Sequence, residues 1–589
     1  MKKILDLIAD QMKAAFAAVG YGEEYARVVL SNRPDLCEYQ CNGAMAAAKV
    51  YKKKPIEIAG EVVEKLAGNE MFAQADAVMP GFINLRLDPA YLADYMNQMQ
   101  KDVKLGVEEI GHGETVIVDY GGANVAKPLH VGHLRSAVIG EAIKRMGAYL
   151  GYHMVGDVHL GDWGLQMGLI IEELRDRKPE LVYFDESYTG EYPAEAPFTI
   201  GELEDIYPTA SGKAKADEAF KARAQEATFR LQNGYAPYKA IWNHIMKVSL
   251  ADLKKNYENL DVHFELWKGE SDAQPYIPWL IQDLQDKGLA YESDGALVVD
   301  IAEPGDSKEL PPCIVRKSDG AALYATSDLG TILEREKEFH PVRYIYITDK
   351  RQALHFVQVF RVARKAGYVK PETQMVHIGF GTMNGKDGKP FKTRDGGVMR
   401  LESLIADIDE AVYARIMDNR TVSEAEAEDT ARVVGLAALK YGDLSNQAAK
   451  DYVFDMDRFI SFEGNTGPYI LYTIVRIKSI LTRYEALEHK FTGSPVILPA
   501  AGDAEKALML ELCRYNEVME NSFAEAAPHK ICQYIYDLSN AFNSFYHDTK
   551  ILAQEDLERQ AGWIQLITLV KEVLGACIHV LGFEAPERM

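Results

Sequence analysis

The alternation of apolar and polar positions predicts a strand, a loop and a helix beginning at residue 115. Residues 115–120 (TVIVDY) are mostly apolar and β-branched, which predicts a buried strand. Residues 134–150 carry apolar side chains at helical spacing and predict a helix, and residues 152–159 (YHMVGDVH) predict the next strand. This succession is typical of the first half of a parallel sheet.

The same succession returns in the second half of the chain. We expect the sheet to resume near residues 313–317 (CIVRK), with a buried strand at 343–348 (RYIYIT), a helix at 355–366 and a strand at 375–381 (MVHIGFG). The β-α-β order predicts an α/β fold with a doubly wound, Rossmann-type parallel sheet. In such sheets the ligand lies at the carboxyl ends of the strands, near the switch point.

Between the two halves, the segment from about 169 to 309 has a different character. It holds Glu/Lys-rich helices, such as residues 213–233, and a predicted loop with Pro193, Pro197 and Pro208. We interpret it as an insertion within a catalytic domain that spans residues 113–400.

Residues 1–112 predict a separate small α/β domain. Its first helix has the apolar stripe Leu5, Ile8, Met12 and Ala15, and a half-buried strand follows from the alternation of Ile83, Leu85 and Leu87 with polar residues. A lysine cluster at Lys49, Lys52, Lys53 and Lys54 indicates either an ordinary solvated face or a contact with nucleic acid.

Beyond residue 400 the pattern is helical throughout, with helices predicted at 424–439, 504–523 and 531–545. It predicts a helical connection over residues 401–454 and an all-α bundle over 455–589. In the bundle, residues 470–481 have a buried face, while Tyr472, Arg476 and Arg483 share a polar one. An aromatic ring with two arginines can stack a splayed base and hold phosphates, although an ordinary exposed face would look the same.

Composition narrows the class of protein. At 589 residues the chain is too long for one core, and its net charge of −23 counts against a nonspecific nucleic-acid binder. A protein that binds nucleic acid through local basic tracks remains open. No run reaches the ~20 apolar residues that span a bilayer. The N-terminus predicts an amphipathic helix without a signal peptide, so we expect a cytoplasmic protein with no membrane contact.

The six cysteines form no CxxC pair, so we expect neither a zinc site nor another metal site. Cys37 and Cys41 have a spacing that would place both on one helical face. We favour buried thiols there over metal ligands.

Candidate chemistry begins in the loop after the first strand, where residues 119–139 read DYGGANVAKPLHVGHLRSAVI. His130 and His133 stand at the start of a helix, where free N–H groups and the helix dipole attract phosphate. Gly132 lets a ring or a ribose approach the backbone. The two histidines can donate hydrogen bonds to phosphate oxygens that gain charge, although helix caps would give the same pattern.

A second basic loop follows the last strand, over residues 379–401. Lysines and Arg394 stand among glycines there, which suits a mobile cationic loop that closes over a triphosphate. A basic surface hairpin is the alternative. Tyr324 and Asp328 would share one face of a helix, although an ordinary surface helix would show the same spacing.

The HVGH run, with its flanks ANVAKPL (123–129) and LRS (134–136) and with GDWGLQ at 161–166, resembles the HIGH motif of class I aminoacyl-tRNA synthetases in its arginyl form. The resemblance implies activation of arginine by ATP, accompanied by Mg²⁺, and transfer to a cognate tRNA by a monomer. The insertion occupies the place of the class I connective peptide. The N-terminal domain resembles the one that touches the tRNA elbow, and the helical bundle resembles an anticodon-binding domain.

The resemblance also implies roles for individual residues. The catalytic residues would be His130, His133, Lys127 and Lys392. ATP would be bound by His130, Gly132, His133, Lys389, Lys392 and Thr393. Arginine would be bound by Asn124, Glu270, Tyr324, Asp328 and Gln352, and tRNA by Tyr472, Arg476, Arg483, Lys52 and Lys53. Residues 389–393 (KPFKT) depart from the KMSKS motif that class I enzymes carry here. Lys127 would therefore share the stabilisation of the phosphates with Lys392.

Two alternatives remain open on the sequence. One is a class I synthetase for another amino acid, such as a cysteinyl enzyme, which would carry a zinc thiolate site. The other is a silent paralogue that binds tRNA without activating an amino acid. The intact HVGH argues against the silent paralogue, because a protein without catalysis has no need of those histidines.

Overall fold

The computed structural model describes residues 1–318, 320, 322–391, 399–419 and 423–589, with the side chain of residue 419 left out. The N-terminal part packs four helices on one antiparallel sheet of order β1-β2-β4-β3. Its elements are α1 (Ile4–Ala18), β1 (Val28–Leu30), β2 (Tyr39–Cys41), α2 (Gly43–Tyr51), α3 (Pro55–Leu66), β3 (Phe72–Val78), β4 (Phe82–Leu87) and α4 (Pro89–Lys101). The predicted strand is confirmed, because Ile83, Leu85 and Leu87 are the buried residues of β4.

Cys37 and Cys41 are both buried free thiols, as predicted. The shared helical face was wrong, because Cys41 ends the strand β2 and Cys37 lies in the loop before it. The other four cysteines, Cys313, Cys513, Cys532 and Cys577, are also buried and free.

The first half of the parallel sheet consists of β5 (Thr115–Asp119), α5 (Val131–Tyr149) and β6 (His153–Asp157). The insertion follows with α6 (Leu165–Arg177), α7 (Ile200–Ala216), α8 (Glu218–Gln232), α9 (Ala236–Asn259), α10 (Glu270–Ala273) and α11 (Ile277–Asp286). Three short strands, β7 (Ala290–Ser293), β8 (Ala296–Val299) and β9 (Cys313–Arg316), then form an antiparallel sheet of their own.

Three expectations about this region were wrong. Residues 213–233 are not one helix, because Asp217 ends α7 and accepts hydrogen bonds from Ala219 and Phe220 as the N-cap of α8. Pro208 lies inside α7 on an exposed position, where its ring faces solvent, and not in a loop. Residues 313–316 do not resume the parallel sheet, because β9 pairs antiparallel with β8.

The second half of the parallel sheet consists of α12 (Tyr324–Phe339), β10 (Arg343–Asp349), α13 (Ala353–Lys365) and β11 (Gln374–Phe380), followed by the two-residue strand β12 (Met383–Asn384). The sheet order is β11-β10-β5-β6 and every neighbouring pair is parallel. The chain winds outward from β5 to β6 and from β10 to β11 on opposite sides. The switch point therefore lies between β5 and β10, and the doubly wound fold is confirmed.

The rest of the chain is almost entirely helical. Its elements are α14 (Leu401–Asn419), α15 (Glu424–Leu444), β13 (Tyr452–Val453), α16 (Met456–Phe459), α17 (Gly467–Glu485), α18 (Asp503–Leu512), α19 (Tyr515–Ala524), α20 (Pro528–Asp548) and α21 (Leu557–Leu581). The strand β13, which pairs with β12, was not predicted. The helix predicted at 504–523 is two helices, broken between Leu512 and Tyr515.

The helix α21 is long and apolar enough to cross a membrane by length and composition, which the sequence analysis missed. In this fold it is a core helix of the bundle, and 61% of its most apolar window is buried inside the protein. It packs against α5, α17 and α20. The last helix therefore touches the helix that begins with the HVGH motif.

Candidate active site

Each histidine of the HVGH motif accepts a hydrogen bond from a backbone amide at the start of the helix α5. His130 is the N-cap residue, and its Nδ1 accepts a hydrogen bond from the Gly132 amide at 3.0 Å. His133 Nδ1 accepts from the His130 amide at 3.2 Å, and the two ring centroids are 4.0 Å apart. A neutral imidazole that accepts at Nδ1 carries its proton on Nε2. Both rings are thus set as Nε2–H donors.

The lowered pKa values of His130 and His133 support the same assignment of both rings as Nε2–H donors. Burial lowers the pKa of His133 to about 3, with smaller effects from His130 and Lys127. Burial and the charge of Lys127 also lower the pKa of His130. Both rings are therefore neutral near pH 7, and they would act on a phosphate as hydrogen-bond donors rather than as cations.

The position of the His130 ring requires a glycine at residue 132. A Cβ at this position would lie 2.6 Å from Cε1 of His130, closer than real Cβ contacts. Any side chain at residue 132 would push the ring of His130 away from the amide that it accepts. The glycine therefore sets the geometry of the histidine as well as leaving room for a ligand.

Lys127 lies over an aromatic ring of the insertion. Its Nζ is 4.4 Å from the ring centroid of Tyr207, which belongs to α7. The neighbouring Ala126 has a left-handed φ of 62° and donates its amide to Ser249 Oγ on α9 at 2.9 Å. Two helices of the insertion thus hold the loop that carries Lys127.

Residues 399–401 pair directly with the HVGH segment. Val131 donates its amide to the Met399 carbonyl at 3.1 Å, and Leu401 donates to the Leu129 carbonyl at 3.0 Å. Arg400 also forms an ion pair with Glu204 of α7 at 2.7 Å. The segment that ends the basic loop is therefore fastened directly beside the histidines.

The basic loop begins with a short hairpin. The Gly385 amide donates to the Lys389 carbonyl at 2.8 Å, and Phe391 donates to Met383 at 3.0 Å. Lys389 is exposed on this hairpin. Lys392 and Thr393 lie outside the described residues.

The residues predicted for arginine gather where α12 begins. Tyr324 is the first residue of α12, and Asp328 follows one turn later. Asp328 Oδ2 is hydrogen-bonded to His355 Nε2, and its Oδ1 lies 3.6 Å from His159 Nε2. Tyr324 is exposed, but partial desolvation of its phenol raises its pKa, and the charge of Glu270 adds to this effect. Tyr324 is therefore within reach of the charge of Glu270, and Glu270 is within reach of the charge of Asp328.

The GDWGLQ segment positions Glu270 and Asn124. Asp162 accepts from the Ser271 amide at 3.0 Å and from Ser271 Oγ at 2.6 Å, and Glu270 donates its own amide to the Leu160 carbonyl at 3.0 Å. On the other side, Gly161 pairs with Asn124, whose Oδ1 would lie 2.2 Å from a Cβ at residue 161. This segment thus spaces the two predicted arginine ligands.

Glu270 has an unusual titration. Burial raises its pKa to about 7, against the opposing charge of His159. The charges of Asp162 and Asp328 raise it further. Gln352 is exposed, in the short turn that follows β10 and precedes α13.

A buried ion cluster lies beneath the pocket. Asp119 and Asp157 are in register at the carboxyl ends of β5 and β6, and Arg335 Nη2 donates to both, at 2.6 and 2.7 Å. Asp119, Asp157 and His159 have ligand atoms within 4.8 Å of one another. Because Arg335 already supplies the positive charge, we assign the cluster to an internal ion pair and not to a metal.

The sequence analysis did not identify Arg335, His159 or His355 as site residues. The sequence held a signal for two of them. Arg335 follows Asp328 by seven residues and so lies on the same helical face. His159 ends the predicted strand at 152–159. Nothing along the chain indicates that these side chains meet.

The residues predicted to bind tRNA lie on α17 and just after α2. Arg476 lies 4.8 Å from the Tyr472 ring and donates to Asn543 Oδ1 at 2.6 Å, while Tyr472 and Arg483 are exposed on α17. Lys52 is exposed after α2, whereas Lys53 is paired with Glu61 at 2.7 Å.

Models of known families match almost the whole chain. Residues 2–87 match the arginyl-tRNA synthetase N-terminal domain, residues 95–456 match the class I (R) tRNA synthetase catalytic domain, and residues 470–589 match the DALR anticodon-binding domain. The class I catalytic match covers more than half of the chain.

Whole proteins match over their full length. A protein named arginine–tRNA ligase from Agathobacter rectalis is 61% identical, and one from Alkaliphilus oremlandii is 55% identical, each over 100% of both chains. Solved arginyl-tRNA synthetases from Plasmodium falciparum and Thermus thermophilus have the same fold, with TM-scores of 0.81 and 0.79 over 100% of both chains, at 24% and 22% identity. The chain therefore belongs to the arginyl-tRNA synthetase family, class I aminoacyl-tRNA synthetases that use ATP to attach arginine to tRNA.

Proposed function

We propose that this chain activates arginine in a cleft beside the HVGH segment, at the carboxyl ends of the parallel strands, and then transfers it to tRNA. The observation that carries this proposal is the pair of neutral histidines whose Nδ1 atoms both accept backbone amides. Their Nε2–H groups are preorganised donors for the α-phosphate of ATP. Such donors need no reorganisation as charge develops on the phosphate.

The arginine side chain would bind at the start of α12. Asp328 and Glu270 are the carboxylates and Tyr324 the aromatic face for its guanidinium, a planar cation that favours these partners. Asn124 would hold the amino or carboxylate end of arginine, and Gln352 would lie near its amino group. The arginine carboxylate would then attack the α-phosphorus of ATP, with pyrophosphate leaving.

The leaving pyrophosphate would be stabilised by lysines from both sides of the cleft. Lys127 contributes from the HVGH loop, and Lys389, Lys392 and Thr393 from the basic loop. Mg²⁺ would arrive with ATP, because neutralising a triphosphate needs a hard cation. We propose no zinc, since the six buried cysteines do not pair into a thiolate site.

The outer domains would bind the tRNA. Residues 1–112 would contact its elbow through Lys52 and Lys53, and the bundle at 455–589 would contact its anticodon through Tyr472, Arg476 and Arg483. Catalytic residues would come from 113–400, with residues 401–454 as a helical connection. We further propose that the protein is a cytoplasmic monomer without membrane contact.

Arginine-dependent ATP–pyrophosphate exchange tests this assignment, measured with and without total tRNA. We expect exchange with arginine, lost in His133→Ala and retained in His112→Asn, since His112 is an exposed loop histidine outside the cleft. Exchange supported by another amino acid instead of arginine would contradict the arginine pocket. Binding of tRNA with no exchange would contradict catalysis.

A further inference from the structure

His159 lies in an unusual position at the edge of the proposed arginine pocket. It follows β6 by two residues and has a left-handed φ of 40°, which few residues other than glycine, asparagine and aspartate adopt without strain. Its amide donates to Asp157 Oδ1 at 3.2 Å. This backbone conformation turns the side chain back over the carboxyl ends of the sheet.

The His159 ring meets carboxylates from several elements. Its Nε2 is 3.6 Å from Asp328 Oδ1 on α12, and its ring shares a group of ligand atoms within 4.8 Å with Asp119 of β5 and Asp157 of β6. The charge of His159 also lowers the pKa of Glu270 on α10. Nδ1 is buried and has no hydrogen-bond partner within the described part of the chain.

Without a charge on His159, the carboxylates near its ring would outnumber the cations that pair with them. Five carboxylates lie within reach of the charge of His159, namely Asp119, Asp157, Asp162, Glu270 and Asp328. Arg335 pairs with Asp119 and Asp157, and its charge opposes that of His159. In the described part of the chain, the salt-bridge partners of Asp328 are the two histidines His159 and His355.

We infer that His159 carries the counter-charge of Asp328 while the pocket is empty, and that it gives up its proton when the guanidinium of arginine takes that place. The inference rests on the proposed arginine pocket. The exchange is balanced, because one cation enters, one imidazolium becomes neutral and one proton passes to the solvent. Arginine binding would therefore be linked to proton release.

The titration of His159 is consistent with this role. Burial lowers its pKa, but the charges of Asp119, Asp328 and Asp157 outweigh burial, and the net direction is upward from the ordinary value. When such a group must lose its proton for a ligand to bind, the ligand binds more weakly as the pH falls. The limit is about tenfold for each pH unit below the pKa.

Glu270 is the competing source of a proton. Its pKa of about 7 means that it is partly protonated near neutral pH, and an arriving guanidinium would ionise it. His355 also contacts Asp328, on the opposite oxygen. An experiment must therefore separate His159 from Glu270.

Isothermal titration of arginine into the full-length protein with excess deacylated tRNA, and without ATP, makes this separation. Heats measured in two buffers of different ionisation enthalpy give the number of protons released. The variants are His159→Asn, since asparagine tolerates a positive φ, and Glu270→Gln, with His112→Asn as the control. We expect release from the wild-type protein and the control, with an affinity that weakens up to about tenfold per unit as the pH falls from 8 to 6.

The outcomes distinguish the possibilities. His159→Asn should release fewer protons and flatten the pH dependence, whereas Glu270→Gln should bind more weakly yet still release a proton. Zero release from the wild-type protein, or release that His159→Asn preserves in full, whether it comes from Glu270 or from His355, would overturn the inference while leaving the pocket in place. No arginine binding by the wild-type protein would overturn the proposed pocket itself, and the inference with it.

Discussion

Arg135 Nε donates to Asp443 Oδ2 at 3.0 Å, and both side chains are almost completely buried. Arg135 lies two residues after the HVGH motif, while Asp443 lies near the end of α15. The Arg135 Nη1 also donates to the carbonyls of Gly381 and Lys450, at 2.8 and 2.9 Å. One guanidinium thus joins the catalytic helix, the start of the basic loop and the helical region.

Breaking this pair by removing one partner should destabilise the protein. Arg135→Leu leaves the carboxylate of Asp443 buried without its cationic partner, although the Tyr452 hydroxyl still donates to it at 2.7 Å, and this loss costs about 3–5 kcal/mol. The double variant Arg135→Leu/Asp443→Leu should be more stable than this single variant, because no charge is left uncompensated. Thermal unfolding followed by circular dichroism measures both.

The exposed pair of Arg432 and Asp429 on α15 is the matched control for that experiment. Arg432→Leu should change stability by less than about 1 kcal/mol, because exposed pairs are screened by water. An equal loss in Arg432→Leu and Arg135→Leu would contradict a special role for the buried pair.

We predict that Tyr207 positions Lys127. A cation–π contact of this kind stabilises by about 0.5–2 kcal/mol, so Tyr207→Leu should lower the turnover of pyrophosphate exchange about 3- to 30-fold. Tyr207→Phe keeps the ring and should retain most of the activity. In a Lys127→Gln background, Tyr207→Leu should have little further effect. A full additional loss in that background would show that Tyr207 acts through another group.

Glu270→Gln should raise the KM for arginine by about 10- to 100-fold with a smaller effect on turnover, because a charge-assisted contact to the substrate is lost. The control is Glu258→Gln, on an exposed position of α9. Steady-state exchange at varied arginine concentration measures both constants. An unchanged KM would remove Glu270 from the pocket.

His133 should make the fold sensitive to acid. Its pKa is about 3 in the folded protein, mainly through burial, against about 6.5 in an unfolded chain. The unfolded state therefore binds more protons between these values. Stability is intact above pH ~6.5 and falls as the pH drops towards 3, at up to about 1.4 kcal/mol per unit for this group.

In that experiment His133→Asn should have a shallower loss of stability below pH ~6.5, because asparagine does not titrate. Thermal unfolding across the range from pH 5 to 8 tests it, with His112→Asn as the control. Parallel curves for wild type and His133→Asn would contradict the assignment of a neutral buried ring.

Much of the site was predictable because its signals are local. The HVGH motif joins a strand to a helix within a few residues, and the spacing of Tyr324 and Asp328 is a property of one helix. The parallel sheet followed from the order of the predicted strands and helices, which fixed the elements but not their exact bounds. The break at Asp217 and the strand β13 escaped this reasoning, because a cap or a two-residue pairing leaves a weak pattern.

The sequence by itself thus determined the family, the sheet and the two segments that we propose to bind phosphate, since each is written in consecutive or helically spaced positions. Only the tertiary structure decided which charges meet. Arg335 reaches Asp119 across 216 residues of chain, and Arg135 reaches Asp443 across 308. His159 comes to Asp328 from the other half of the sheet. Such contacts depend on how strands align and helices pack, and no local pattern encodes the partner of a buried charge.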